Sequence, residues 1–349
     1  VSDDTTPIAG PPGERVPPAS LRRILLTGAV MLLAAIAVDA AAVAGLDRHP
    51  LNHGYRVIRT KWALLLEQRA PVDTLILGDS TGNQGVVPDI VSARLGGSAL
   101  NLCTVGDLLA VNDAWMLSSY VRDAGPPRRV VLVHAFDVWG RGPNPDAIAQ
   151  VPLPAGFWNE YDPRIPLTGW EYARVLLDRY VPIYSQDQTL SRFFRQPRRT
   201  LARGFDMDAH GFLRAHKALP EEVLKDSAFQ IAEVEREKGE SPLSKENLAA
   251  LEVLARLADA HRFEIYISDS PLYEGLYAEP GFQRRLTALH DALAQFAAAH
   301  PRVHVLPGPV RTFPAGQMTT VDHLIEEGAR SFTESLAEKI AQTSTPVQR

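Results

Sequence analysis

Short apolar runs alternate with longer amphipathic stretches along most of this chain. Thr74 to Leu77, Ala99 to Leu102, Val130 to His134, Phe263 to Ser268 and Val303 to Leu306 are β-prone and bounded by Gly, Pro, Asp or Ser, which predicts strands. Tyr55 to Gln68, Pro88 to Leu95, Leu108 to Arg122, Glu221 to Glu237, Ser244 to His261, Phe282 to His300 and Glu326 to Ala341 repeat their apolar positions at helical spacing. The run RRVVLVHAF is apolar enough for a strand covered on both faces. The alternation predicts an α/β protein in three layers, α/β/α, around a parallel sheet of about five strands. It breaks at about 140–215, a stretch rich in Trp, Tyr, Pro and Arg with one predicted helix near Trp170 to Tyr180, which reads as an insertion in a domain spanning 55–341.

The ends of the chain follow different rules. Residues 1–23 are polar and rich in Pro and Gly, which predicts a disordered tail on the cytoplasmic side; residues 342–349 predict a flexible tail. Between Arg22-Arg23 and the domain, Ile24 to Leu46 is long and apolar enough to span a bilayer, with Asp39 as its one charge near the far end. Positive charge on its leading flank predicts that side inside and the domain outside the cytoplasm. A transmembrane anchor is the preferred reading; a removable signal peptide, with small residues from Ala40 to Ala44 for cleavage, is the other. Both export the domain, to the periplasm or extracytoplasmic space at the inner membrane.

Composition narrows the chemistry. At 45% hydrophobic and 22% charged residues the chain can bury a large core. A net charge of -5 and a pI near 6.1 supply no basic surplus for nucleic acid. Cys103 is the single cysteine, so neither an intrachain disulfide nor a cysteine-rich zinc site is expected, and its simplest role is a small buried hydrophobe. The scattered histidines contain no HExxH, and no Walker or Rossmann pattern stands out, so neither metal nor cofactor is predicted.

In a parallel sheet the loops after the strands converge on one rim, where such sheets bind ligands. The residues sent there are Gly78-Asp79-Ser80, Gly106, His134 to Asp137, Asp269-Ser270-Pro271, and Asp322-His323 just before the last helix. Their order resembles the SGNH, or GDSL-like, hydrolase superfamily, with its serine in an early Gly-Asp-Ser and its histidine before a final helix. The stretches GDSTGNQGVVPDI, NLCTVG and DHLIEEGARSFTESLAEKI look more narrowly like a membrane-anchored branch associated with O-acylation of envelope polymers, of the alginate O-acetylation and teichoic-acid D-alanylation kind. The shared pattern falls on Gly85-Val86-Val87-Pro88, His323-Leu324, Gly328-Ala329 and Phe332-Thr333.

The resemblance implies Ser80 as nucleophile, His323 as base and Asp322 as acid, with the backbone N–H groups of Ser80 and Gly106 as oxyanion donors. A serine hydroxyl needs a base to take its proton, and a shared rim brings the two together. The alternative role for Ser80 is a helix N-cap. Two positions depart from the family. Phe136 stands where an Asn donates to the oxyanion, and Asn112-Asp113, which has those letters, lies in a predicted helix and is expected on its solvated face. Thr320 stands three residues before the histidine where the acid belongs, while adjacent side chains such as Asp322 and His323 point apart in an extended loop; Asp269 and Asp137 are the alternative acids. Asp79 is expected to shape the serine turn and His134 to be a satisfied strand-end histidine. Trp139, Arg141, Trp158, Tyr161 and Trp170 are open to two readings, a saccharide platform or a lid packed on the core. The function expected is an extracytoplasmic serine O-acyltransferase or esterase acting between an acyl donor and an envelope polysaccharide acceptor. Its competitor is a degenerate domain of the same kind that binds a multi-spanning membrane acyltransferase.

Overall fold

The computed structural model describes residues 18–48, 55–181, 184, 195, 205–237 and 242–344. The chain divides into two units, Val1–Leu51 with Val181–Leu201, and Asn52–Tyr180 with Ala202–Arg349. In the first unit, α1 (Pro18–Arg48) is a 31-residue helix, roughly 46 Å long at the standard rise. Its segment Leu21–Ala41 has a mean hydropathy of 2.3 and is not buried, so by length and composition it suits a membrane anchor or a signal sequence. The helix begins earlier than expected, taking in residues 18–23; the rest of the expected amino-terminal tail, and 345–349, lie outside the described residues.

The second unit runs α2 (Arg56–Glu67), β1 (Thr74–Gly78), α3 (Ser80–Gly85), α4 (Pro88–Leu95), β2 (Ala99–Asn101), α5 (Leu109–Asp123) and β3 (Arg129–His134). After these come α6 (Pro145–Ala149), α7 (Phe157–Glu160), α8 (Gly169–Tyr180), α9 (Glu221–Glu237), α10 (Lys245–His261) and β4 (Glu264–Asp269). The chain then continues through β5 (Leu272–Tyr273), α11 (Glu274–Tyr277), α12 (Pro280–Ala299), β6 (Val303–Val305), β7 (Thr312–Phe313) and α13 (Glu326–Ser344).

Five strands form one parallel sheet in the order β2-β1-β3-β4-β6. Consecutive side chains of a strand point to opposite faces, yet β1 is buried at every position and β3 and β4 at all but their ends. Helices therefore cover both faces, as the apolar runs predicted. Each expected strand is present to within a residue or two at its ends. The short parallel pair β5–β7 was not expected; two residues per strand carry no periodicity.

The order also fixes the rim. From β1 the chain crosses outward to β2, then back over β1 to β3 and onward to β4 and β6. Right-handed crossovers in opposite directions place the two connections on opposite faces, which opens a crevice at the carboxyl end of β1. Ser80 begins directly there.

Candidate active site

The serine turn is built by backbone constraints. Gly78 ends β1 at φ +142°, and a Cβ there would lie 1.9 Å from the Val133 carbonyl oxygen of β3. Only glycine lets the two strand ends approach so closely. Asp79 is buried and caps α3: its Oδ1 accepts from Thr81 N at 2.7 Å and Thr81 Oγ1 at 2.6 Å, and its Oδ2 accepts from Ala135 N at 2.7 Å. The capping role is thus filled by Asp79 and not by Ser80. Ser80 is the first helical residue, partly exposed, and its hydroxyl has no hydrogen-bond partner among the described residues.

The histidine comes from a closed loop. Met318 and Leu324 bridge in antiparallel fashion, and Thr319 N donates to the His323 carbonyl at 2.8 Å. This turn overcomes the expected divergence of adjacent side chains: His323 Nδ1 meets Asp322 Oδ1 at 2.7 Å. Thr320 Oγ1 lies 2.7 Å from both atoms, donating to Asp322 Oδ1 and contacting His323 Nδ1. One proton arrangement satisfies all three groups, with N–H on Nδ1 shared toward Asp322 and Thr320 and an open lone pair on Nε2. Burial alone would raise the Asp322 carboxyl, but the charge and hydrogen bond of His323 and the Thr320 hydroxyl hold it below its ordinary value. Burial likewise opposes an imidazolium, yet Asp322, with Asp79 behind it, raises His323 above the ordinary imidazole value.

Ser80 and His323 line the same cavity of about 340 Å³, together with Asp322, Gly106, Asp79, Asp137 and Arg141. Tyr55, Val105, Asp107, Ala135 and Val138 complete its wall. No hydrogen bond joins Ser80 to His323 among the described contacts; such bonds commonly tighten only with substrate in place. The backbone N–H groups of Ser80 and Gly106 have no acceptor among the described residues. Gly106 has no room for a side chain, since a Cβ would lie 2.7 Å from Val138 Cγ2.

Other expected residues fall elsewhere. Asp137 lines the cavity but pairs with Arg141. Asp269 lies at the end of β4 and pairs with His290 of α12 at 2.6 Å, outside this cavity. Asn112 and Asp113 are fully buried, not solvated. Asn112 accepts from Trp62 Nε1 at 3.0 Å and donates to Thr104 Oγ1 at 3.1 Å. Asp113 Oδ2 lies 2.6 Å from His134 Nε2, while His134 Nδ1 lies 3.7 Å from Asp79 Oδ2. Burial opposes both charges in that cluster, but the carboxylates raise His134 to about 10, and His134 with Thr81 and the Ala135 N–H lowers Asp79 to about 2. Trp139 and Trp158 are buried, Trp139 edge-on to His134 and Trp158 edge-on to Phe157 and Tyr172, so these two pack as core. Trp170 is exposed, and most of the arginine-rich part of the insertion lies outside the described residues. Cys103 is buried, and burial pushes its thiol up.

Two positioning groups escaped the sequence reading. Asn101, inside an apolar strand, donates to the carbonyls of Gly82 and Val86 and so clamps α3. Buried Lys61 donates to the carbonyls of Asn101 and Gly211, and burial lowers it to about 7. A polar residue at a strand position that should be apolar was the available signal for Asn101. The motifs around Val87 and Thr333 prove to be one contact: Val87 N donates to Thr333 Oγ1 at 3.0 Å, tying the serine helix region to α13 behind His323.

No protein-family profile matches the chain, and no curated protein matches its sequence. The chain is similar to a solved structure from Streptococcus pneumonia provisionally described as a platelet activating factor, at 13% identity and TM-score 0.38, over 87% of this chain and 98% of that one. It is similar also to a provisionally described lipolytic protein of the G-D-S-L family from Desulfitobacterium hafniense DCB-2, at 11% identity and TM-score 0.32, over 76% and 99%.

Proposed function

We propose that this chain is an extracytoplasmic serine O-acyltransferase or esterase, held at the inner membrane by α1 and acting on an envelope polysaccharide or glycopolymer through an acyl-serine intermediate. The observation that carries the reading is one cavity lined by Ser80, with its hydroxyl unengaged, and by His323, with Nδ1 held by Asp322. In the first half-reaction Ser80 Oγ attacks the acyl carbon while His323 Nε2 takes the hydroxyl proton, and the carbonyl electron pair moves onto oxygen. The N–H groups of Ser80 and Gly106 stabilise that oxygen. Collapse breaks the bond to the leaving alcohol, which takes the proton from His323. A polymer hydroxyl or water then attacks the acyl-serine, passing its proton through His323 back to Ser80. The block order and the α1 anchor, read with the narrower sequence resemblance, support an envelope polymer as acceptor.

A second reading is supported by the open Ser80–His323 contact and by Phe136: a degenerate domain that serves as a binding partner of a multi-spanning acyltransferase. One experiment separates them. Purified full-length protein is treated with a fluorophosphonate probe, beside Ser80→Ala. Labelling lost in Ser80→Ala supports the enzyme; folded wild-type protein without labelling leaves the binding partner.

A further inference from the structure

A tetrahedral acyl intermediate concentrates a full charge on one oxygen, and two backbone N–H groups leave room for a third donor. The side chain at 136 cannot be that donor. Phe136 is buried edge-on against Phe282 at 4.6 Å, and it lines a separate small cavity with Trp139 and Leu286. Among the donors lining the Ser80 cavity, Tyr55 gives its hydroxyl proton to Asp107 at 3.0 Å, and His323 is needed as base. Arg141 is the donor left.

We propose that Arg141 is a further catalytic residue, whose guanidinium donates to the acyl carbonyl oxygen as it becomes negative. The inference rests on the serine-enzyme reading above. Its geometric support is the closeness of the guanidinium to the backbone donor at 106: a Cβ built on Gly106 would lie 3.9 Å from Arg141 Nη1. Asp137, four residues back across a short turn, binds Nη2 and holds the fork, while Nη1 has no hydrogen-bond partner among the described residues. A planar guanidinium held at one edge by a carboxylate presents its donors in a fixed fork, so less ordering is left to do during reaction.

The test compares second-order rates of fluorophosphonate labelling and 4-nitrophenyl acetate turnover in full-length wild type, Arg141→Ala, Arg141→Lys and Ser80→Ala. Arg128→Ala, at an exposed position just before β3, serves as a remote control with unchanged rates. Arg141→Ala should label about 100-fold more slowly and lose about as much kcat, with KM within about threefold of wild type. Arg141→Lys should recover part of the rate, and added guanidinium ion should partly rescue Arg141→Ala. A wild type labelled at Ser80 whose Arg141→Ala variant keeps its rate within about threefold, or changes KM alone, overturns the proposal and leaves the serine enzyme standing. An unlabelled, folded wild type overturns both. Should Arg141→Ala lose its cooperative melting transition, Arg141→Gln, which keeps the stem and an N–H but no charge, carries the same comparison, and wild-type rates there overturn the role.

Discussion

Among the imidazoles that meet an aspartate oxygen, His134 lies 2.6 Å from Asp113 and His323 lies 2.7 Å from Asp322. Their surroundings divide them. The His134 side chain is 1% exposed and lies between two carboxylates; the His323 side chain is 17% exposed, has one aspartate at Nδ1 and borders a cavity. Flanked on both sides, His134 holds its proton to about pH 10 and has no lone pair to act as a base near neutrality. His323 is raised too, by the adjacent Asp322 and, from further off, by Asp79, but its second nitrogen stays open. Equal pair distances therefore do not mark equal roles: the number of carboxylates and the access of the second nitrogen decide between a structural cation and a base.

The comparison can be broken at either histidine. The largest effect expected is that of His323→Ala, which should slow Ser80 labelling and ester turnover by on the order of 10,000-fold, about 5.5 kcal/mol of barrier, with an unchanged melting curve. If labelling persisted, His323 would be no base. Next, His134→Leu should cost about 3–5 kcal/mol of folding stability in urea titration, because Asp79 and Asp113 would face each other buried without a cation. The sign with pH follows from the raised value: the stabilisation by His134 is complete below the ordinary imidazole range and is lost as pH rises through about 10. Stability of the wild type that did not decline across that window would contradict the charged cluster.

The two smaller effects sharpen the comparison instead. Asp322→Asn should lower kcat/KM by about 100-fold, and the acid limb of the pH–rate profile, which in wild type lies above the ordinary imidazole value, should move down toward it. Thr320→Val, which removes only the bridging hydroxyl, should cost about threefold and shift the limb little. A limb that stays in place in Asp322→Asn would mean that another carboxylate orients His323.

The alternation of apolar runs and amphipathic stretches was legible because burial on both faces of a strand and on one face of a helix leaves a period in the residues themselves. It located the five-stranded sheet, the apolar helix, the strand ends that precede Ser80 and Gly106, and the last helix, while His323 in the loop before that helix was singled out by the family resemblance. Asn112 and Asp113 were misread as solvated because a polar pair in a helical pattern reads the same whether it faces water or a buried histidine. Asp322 was doubted because adjacency predicts divergence, and the bridge from Met318 to Leu324 that bends the loop joins residues whose pairing has no local signature. Asp269 looked equivalent to Asp137 as a strand-end acid until β4 placed it beside His290.

What the chain determined by itself was periodic: which segments become strands and helices, that one helix carries a long apolar segment, and which polar residues follow strand ends. What only the folded molecule decided was pairing: Asp79 and not Ser80 as the cap, Asp322 turned onto His323, Arg141 beside Gly106, His134 closed between two acids. The physical reason is that hydrophobic burial is written into local sequence as a repeat, whereas hydrogen bonds and charge pairs form between residues brought together by topology, and their partners, distances and exposure exist only once the chain has closed on itself.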